Sequence, residues 1–231
     1  MQQEKEIISH PLINQKLPEI EFEIFHQEEI RKVKLSDYQG KWLVLFFYPA
    51  DFTFICPTEL KELAESYGEF KKLDAEVISV STDTVFTHKA WHDSSEAIKK
   101  VTFPMAADPA SRLCQALGVY IPNEGLALRG SFVINPEGEI KTMEVHDNSI
   151  GRSSAELLRK LKAAQFVAKH GDQVCPASWE PGKDSLKPGL DLVGKIWVTK
   201  KTQWTKKFCL SKIFLLTLFY RFTSLINRVS F

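Results

Sequence analysis

The chain has 231 residues, of which 44% are hydrophobic and 26% are charged, the ordinary balance of a globular protein with a full apolar core. The formal net charge of +1 hides an asymmetry, because residues 197–231 hold seven basic residues and no acidic one. The first 196 residues therefore carry 23 basic and 29 acidic residues. An acidic body of this kind argues against nucleic acid as a partner, which normally requires clustered lysine and arginine.

The N-terminal residues contain no apolar stretch of signal-peptide length, and the four cysteines form no Cys-x-x-Cys pair. Both observations predict a cytoplasmic protein, because thiols in a reducing compartment carry out chemistry rather than cross-link a scaffold. Further along, residues 19–25 and 28–33 alternate loosely around His26-Gln27. This pattern predicts an N-terminal hairpin laid against a main sheet.

The next segment combines a buried strand with a cysteine. Seven uncharged residues, 42–48, predict a central strand that is buried on both faces. A 3.6-residue period from Pro57 to about Leu73 predicts a helix, so Cys56 lies at its N-terminus. The unpaired amides and the dipole of a helix N-terminus favour an anion, and the thiolate is the nucleophilic form of cysteine. We therefore interpret Cys56 as reactive; the alternative is a buried structural cysteine.

Three neighbours of Cys56 are candidates for the same site. Thr53 can offer a hydroxyl to the sulfur or to a bound substrate, and Pro49 can wall the pocket without adding a backbone donor. Glu59 stands at the third helical position, where a glutamate also serves as a capping residue. The sequence leaves the role of Glu59 open.

The remaining elements follow from periodicity and from turn residues. We predict a strand at 75–81, a helix at 86–92, a short strand at 103–106, a helix at 110–117, a hairpin of 126–134 with 139–145, and a helix from Ser153 or Ser154 to about His170. The strands at 42–48 and 75–81, joined by a helix, form a βαβ unit and should be parallel. We predict three regions: a domain at 1–170, an extended arm at 171–196 that is rich in Pro, Gly and Lys, and a basic aromatic tail at 197–231.

Two further residues have functional interpretations. Cys175 lies in the predicted arm, which suits a thiol that must approach another sulfur, although an idle exposed cysteine is the alternative. Arg129 lies at the edge of the strand that includes Phe132, where an arginine is costly to bury unless it meets an anion. Its alternative is a surface or salt-bridged arginine.

The motif Pro49-x-x-x-Thr53-x-x-Cys56, with Phe52, Phe54 and Pro57-Thr58-Glu59 around it, resembles the active-site motif of the peroxiredoxins of the typical two-cysteine class. The resemblance covers about residues 10–196 and includes Leu128–Ile134 and Val174–Pro176. It implies an α/β thioredoxin-like fold with a mixed central sheet.

The resemblance also implies a mechanism and partners. Cys56 would be the peroxidatic cysteine, Cys175 the resolving cysteine of an intersubunit disulfide, and Arg129, Thr53 and Pro49 the other site residues. The substrates would be hydrogen peroxide and alkyl hydroperoxides, and the reductant a flavoprotein disulfide reductase or a thioredoxin-like donor. The assembly would be a homodimer, with five dimers in a ring.

Other functions and sites carry less weight. A holdase-type chaperone is the alternative function, and a disulfide reductase of thioredoxin type is weakened by Glu59, which stands where a second cysteine would be required. Cys114 is interpreted as core packing, and Cys209 receives no role. His88 and His92 have the spacing of metal ligands on a helix, but a solvated helix face is the preferred interpretation. No nucleotide, flavin, haem or metal motif is present, so we expect no cofactor and no metal.

The tail at 197–231 lies beyond the region of resemblance. Its uncharged run Ile213–Tyr220 is shorter than the ~20 residues that span a bilayer. Packing on a membrane surface, packing on the protein and read-through of a lost stop codon all remain open.

Overall fold

The computed structural model describes residues 12–196. Residues 1–11 and 197–231, with Cys209 and the whole basic aromatic tail, lie outside the described part. None of the helices between residues 12 and 196 is long and apolar enough to cross a lipid bilayer.

The described residues form nine strands and four α-helices, with short 3-10 helices between some of them. The strands are β1 (Glu21–His26), β2 (Glu29–Lys34), β3 (Trp42–Phe47), β4 (Ala75–Ser81), β5 (Met105–Ala107), β6 (Tyr120–Ile121), β7 (Leu126–Ala127), β8 (Arg129–Ile134) and β9 (Ile140–His146). The helices are α1 (Cys56–Lys72), α2 (Val85–Ser94), α3 (Arg112–Ala116) and α4 (Ser154–Lys169).

Seven strands form one mixed sheet in the order β2-β1-β5-β4-β3-β8-β9. The three central strands β5, β4 and β3 run parallel to one another. At one end of the sheet β8 and β9 are added as antiparallel pairs, and at the other end so are β1 and β2. The predicted βαβ unit and N-terminal hairpin are therefore confirmed, as is the thioredoxin-like class of the fold. Strands β6 and β7 form a separate two-stranded ladder.

Strand β3 is buried over its whole length and separates two apolar cores. Alternate side chains of a strand point to opposite faces, so Val44 and Phe46 pack with α1 and α4, and Leu43, Leu45 and Phe47 pack with α3. A strand with helices on both faces must be apolar on both sides, which explains the uninterrupted apolar run in the sequence.

Several predicted boundaries are corrected by the structure. The strand predicted at 103–106 begins only at Met105, because Pro104 has no amide hydrogen to give to a ladder that is paired on both sides. The helix predicted at 110–117 is restricted to Arg112–Ala116, because Ser111 has a left-handed backbone (φ 56°). The strand predicted at 126–134 is split into β7 and β8, since the Leu128 amide bonds the Val119 carbonyl instead of the β9 edge.

The chain divides into two compact units. The first unit contains residues 12–171 and 175–184 of the described chain, with all strands β1–β9 and helices α1–α4. The second contains residues 172–174 and 185–196, which are joined by a bridge between Val174 and Leu186. The predicted boundary at residue 170 and the arm at 171–196 stay predictions.

Candidate active site

Cys56 is the first residue of α1, directly after the turn that follows β3. Its side chain is fully buried, so its sulfur has no contact with bulk water. The helix start has no side-chain cap: Ile55 occupies the N-cap position, and the main-chain amides of Thr58 and Glu59 bond its carbonyl. The positive end of α1 is thus directed towards the region of the thiol.

Arg129 is the first residue of β8 and is almost completely buried. Its Nη1 lies 3.4 Å from Cys56 Sγ and donates to Glu59 Oε2 at 2.7 Å, while its Nε donates to the carbonyl of Asn148 at 3.0 Å. Arg129 is therefore not a surface arginine, whereas the salt-bridged alternative agrees with its ion pair with Glu59. Strand β8 lies next to β3 in the sheet, so the fold brings Arg129 to a cysteine that is 73 residues away in the chain.

Glu59 joins Arg129 to a second buried arginine, Arg152. The Arg152 backbone amide and Nε donate to Glu59 Oε1 at 2.7 and 3.0 Å, and its Nη2 donates to Oε2 at 3.1 Å. Arg152 Nη1 also donates to the carbonyl of Gly130, and the guanidinium lies 3.5 Å from the centroid of the Phe46 ring. We call Cys56, Glu59, Arg129 and Arg152 the thiol–arginine cluster.

The charges in this cluster do not cancel while the thiol is protonated. Two guanidinium groups face one carboxylate, which leaves one excess positive charge beside the sulfur. A buried charge is costly unless it is paired, so conversion of the thiol to the thiolate would neutralise the cluster. Burial alone would raise the pKa of Glu59, but the hydrogen bonds and charges of Arg152 and Arg129 outweigh it and hold that pKa below its usual value. Glu59 is therefore ionised at neutral pH.

Pro49 and Thr53 flank the turn between β3 and α1. Pro49 is buried, and Thr53 is half-buried with its hydroxyl donating to the Ala50 carbonyl at 2.9 Å. Because its hydrogen is used in this bond, the Thr53 oxygen has lone pairs left to accept a hydrogen bond. Phe52, between them, has a left-handed backbone (φ 54°), which is uncommon for an aromatic residue and marks a sharp turn.

Cys175 is half-buried against α4, and its thiol lies 3.8 Å from the Ala163 carbonyl. Burial raises the pKa of the Cys175 thiol, and the neighbouring Arg159 opposes this shift. Cys56, Cys114 and Cys175 are all free thiols, so the structure does not join the two candidate redox cysteines. The roles of Cys56, Cys175, Thr53, Arg129 and Pro49 stay predictions.

Other expectations are changed by the contacts. Glu59 is not a capping residue, because its carboxylate bonds the two arginines. His88 is not on a solvated face: it is completely buried and bonded to Asp51, whereas His92 is half-buried beside Glu28 and Asp93. Cys114 is buried in the core as expected, and burial with the nearby Asp108 raises its pKa well above the usual value.

The sequence interpretation missed Arg152, Asp51 and His88. An arginine after Gly151 and an aspartate inside the motif were weak signals by themselves. Only the fold shows that they are buried and hydrogen-bonded.

The chain matches two family models. The model described as the AhpC/TSA family matches residues 13–143, and the model described as the C-terminal domain of 1-Cys peroxiredoxin matches residues 163–197. Together they include Cys56, Arg129 and Cys175.

Relatives and solved structures cover most of the same region. The "Alkyl hydroperoxide reductase C" of Pseudomonas aeruginosa is 54% identical over 185 residues, which are 80% of this chain and 99% of the relative. The crystal structure of Enterococcus faecalis AhpC is 50% identical with a TM-score of 0.71 and covers 72% of this chain and 100% of that chain. The reduced 2-Cys peroxiredoxin of Plasmodium vivax is 29% identical with a TM-score of 0.76, over 79% of this chain and 96% of that chain.

Proposed function

This chain belongs to the AhpC/TSA family of peroxiredoxins, and from this membership we propose how it works as a thiol-dependent peroxidase. The substrates are hydrogen peroxide and alkyl hydroperoxides, and Cys56 is the group that attacks them. The observation that supports this most directly is the excess positive charge of the thiol–arginine cluster, in which Arg129 Nη1 lies 3.4 Å from the Cys56 sulfur.

In the first step the Cys56 thiolate attacks one peroxide oxygen, and the O–O bond breaks. The sulfur becomes a sulfenic acid, and the other oxygen leaves as an alkoxide or hydroxide that takes up a proton to form the alcohol or water. Arg129 stabilises the charge of the thiolate and of the departing oxygen. The Thr53 oxygen accepts a hydrogen bond from the peroxide, and Pro49 keeps water away from the sulfur.

In the second step the Cys175 thiol condenses with the sulfenic acid, which forms a disulfide and releases water. In this proposal Cys175 comes from a neighbouring subunit, as in the typical two-cysteine class; within the chain its free thiol contacts the Ala163 carbonyl of α4. A separate dithiol donor, either a flavoprotein disulfide reductase or a thioredoxin-like protein, then supplies two electrons and regenerates both thiols. A reducing cytoplasm is the compartment in which this cycle can run.

Two surfaces support the proposed assembly. Strand β9 is an edge of the sheet with half-exposed Met143 and Val145, so a second β9 can pair with it to form the homodimer. Phe52, Phe54 (94% exposed) and Phe86 are exposed aromatic side chains, the first two in the turn before Cys56 and the third on α2, and such side chains suit contacts between five dimers in a ring. The substitution Val145→Lys should then shift the mass measured by light scattering to that of a monomer, and an unchanged mass would exclude this interface.

The activity is tested with single cysteine variants. Cys56→Ser should abolish peroxide consumption, because a hydroxyl is too weakly acidic to supply the anion. Cys175→Ser should consume one equivalent of peroxide per chain and then stop at a sulfenic acid that dimedone traps. Cys114→Ser is the control and should turn over normally. Peroxide consumption that survives in Cys56→Ser would exclude the assignment.

The reductant is tested in a coupled turnover assay. Peroxide turnover coupled to NADH or NADPH oxidation is measured with a flavoprotein disulfide reductase and separately with thioredoxin and its reductase. The holdase-type chaperone finds no support among the relatives, which are named as peroxide reductases and peroxiredoxins.

A further inference from the structure

A buried hydrogen-bond network lies directly behind the turn that carries the site. Asp51 Oδ1 accepts the hydrogen of the Tyr48 hydroxyl at 2.7 Å, and Asp51 Oδ2 lies 2.8 Å from His88 Nδ1. His88 Nε2 lies 3.1 Å from the Ala106 carbonyl oxygen in β5. The side chains of Asp51 and His88 are 0% exposed, so no water can replace these partners.

The hydrogen bonds fix the number of protons in this network. The Ala106 carbonyl can only accept, so His88 Nε2 must carry a hydrogen. An ionised aspartate can also only accept, and a neutral imidazole with its hydrogen on Nε2 has only a lone pair at Nδ1. Two lone pairs at 2.8 Å would repel each other, so a further proton must lie between Oδ2 and Nδ1.

We infer that Asp51 and His88 share one buried proton, and that this neutral pair positions the turn from Pro49 to Thr53 for the proposed peroxidase reaction. Asp51 and His88 do not touch the substrate; they are positioning residues. The proton can lie on either partner, and in both cases the pair has no net charge.

The turn is connected to this pair at several points. Asp51 stands two residues after Pro49 and two before Thr53, and its backbone amide donates to Asp83 Oδ2 at 2.8 Å. The Thr53 hydroxyl bonds the carbonyl of Ala50, the residue before Asp51. A change at the Asp51 carboxylate would therefore shift the oxygen that receives the peroxide. A misplacement of about 1 Å can slow a reaction on the order of a hundredfold.

The surroundings of the pair favour a retained proton. The titratable groups that face it are Tyr48 at the end of β3 and Asp83 after β4. Burial raises the pKa of Asp51, although the hydrogen bond with His88 opposes this shift. Burial and the Asp51 charge raise the pKa of Tyr48 well above its usual value, so its hydroxyl remains a donor. Loss of the shared proton would leave an unpaired buried carboxylate, which is costly.

Asp51→Asn separates the hydrogen bonds from the shared proton. The amide oxygen can accept from Tyr48, and the amide NH₂ can donate to His88 Nδ1, so all three contacts are kept by a neutral histidine. His88→Leu, in contrast, leaves the Asp51 carboxylate without its partner. His92→Asn is the matched control, because His92 lies one turn further along α2 and faces the carboxylates of Glu28 and Asp93.

The first measurement counts protons and needs no peroxidase activity. Above the unfolded histidine pKa of about 6.5, the unfolded chain has an ionised aspartate and a neutral imidazole, one proton fewer than the native pair. The native state therefore binds more protons, and stability falls as pH rises, by up to about tenfold in the unfolding equilibrium constant per pH unit. Urea unfolding at several pH values above 6.5 should show this added decrease of stability with pH in wild type and in His92→Asn. Equal slopes in wild type and Asp51→Asn would overturn the shared proton.

The second measurement concerns position. The stopped-flow rate of Cys56 oxidation at neutral pH should be at least about tenfold lower in His88→Leu than in wild type. The single variant Asp51→Asn should lose much less, because it keeps the hydrogen bonds. The wild-type rate should decrease at the pH at which the shared proton is lost, whereas Asp51→Asn, which has no such proton, should not show this decrease. Equal rates in His88→Leu and wild type would overturn the positioning role. If neither wild type nor any variant reduced peroxide, the proposed function would be wrong. The unfolding slopes would still show whether Asp51 and His88 share a proton.

Discussion

Glu59 is held by two arginines and is the centre of the thiol–arginine cluster. Its four contacts with Arg129 and Arg152 are between 2.7 and 3.1 Å, and both arginine side chains are almost fully buried. A buried ion pair often contributes little net stability compared with apolar residues, but the removal of one partner leaves a buried charge without compensation. The stability of the cluster therefore depends on its single carboxylate.

Glu59→Gln should destabilise the fold by roughly 3 kcal/mol at neutral pH, because two buried guanidinium groups would then lack a counter-charge. Since Arg129 and Arg152 lower the pKa of Glu59, the stabilisation is present above the unfolded glutamate pKa of about 4.3 and is lost as pH falls through the lower folded value. Urea unfolding of wild type and variant should show a constant difference above about pH 5 that shrinks only in stronger acid.

Glu62→Gln is the control for this prediction, because Glu62 lies on the same helix but is exposed and accepts one hydrogen bond from the Ser154 amide. Its effect should be within about 1 kcal/mol. A loss for Glu59→Gln that is no greater than for Glu62→Gln would show that Glu59 is not the counter-charge of the cluster.

The residues of the site differ in how far the sequence could predict them. Cys56 and Thr53 are close in the chain and are fixed by one strand–turn–helix segment, so a local pattern was sufficient. The partners Glu59 and Arg152 are 93 residues apart, and Asp51 and His88 are 37 apart. Their pairing depends on the order of strands and helices in the fold, and a buried histidine has no local pattern that distinguishes it from a solvated one.

Helix α4 is the element on which Cys175 and the residues after it are packed. Trp179 is 3% exposed, its ring lies 4.5 Å from the Phe166 ring, and its carbonyl accepts from Arg159 Nη1 at 2.9 Å. The Trp179 indole also donates to the Lys183 carbonyl at 3.1 Å. The approach of Cys175 to a sulfenic acid on another chain requires these contacts to open.

Trp179→Ala should therefore release Cys175. We expect the rate of Cys175 alkylation, measured by mass spectrometry on the reduced protein, to rise at least about tenfold, because the loss of a buried ring costs more than the 1.4 kcal/mol that corresponds to a factor of ten. Faster resolution should also lower the fraction of Cys56 found as sulfinic acid after a peroxide pulse.

Trp179→Phe tests the cause. It keeps an aromatic ring against Phe166 and removes only the indole hydrogen bond, so its effect on alkylation should be clearly smaller. If alkylation of Cys175 is equally fast in wild type and Trp179→Ala, the packing on α4 does not restrain the thiol.

At the level of helices and strands, the long periodic segments were predicted well and the short ones poorly. The strand predicted at 42–48 and the helix predicted to end near His170 agree with β3 and α4 within a few residues. Strand β5 and helix α3 are three and five residues long, and their ends depend on Pro104 and on the left-handed Ser111. Single backbone conformations decide such short elements, and periodicity cannot detect them.

The relatives and the family models account for only part of the whole molecule, which is longer than the segment aligned with them. The Pseudomonas aeruginosa relative aligns over 99% of its own length with 185 residues of this chain, and the Enterococcus faecalis structure is covered completely. The second family model ends at residue 197. The peroxidase chemistry proposed above uses residues from Pro49 to Cys175 only.

A chain that ends at Ile196 should therefore keep the peroxide turnover of the full chain. The removed segment contains seven basic residues and no acidic one, so the truncated protein should also change from a formal net charge of +1 to a net charge of −6, with earlier elution from a cation-exchange column. Peroxide turnover with the same dithiol donor is the decisive measurement, with Cys56→Ser in the truncated chain as the inactive reference. A truncated chain that folds but turns over more slowly would show that residues 197–231 belong to the functional protein and would exclude read-through as their origin.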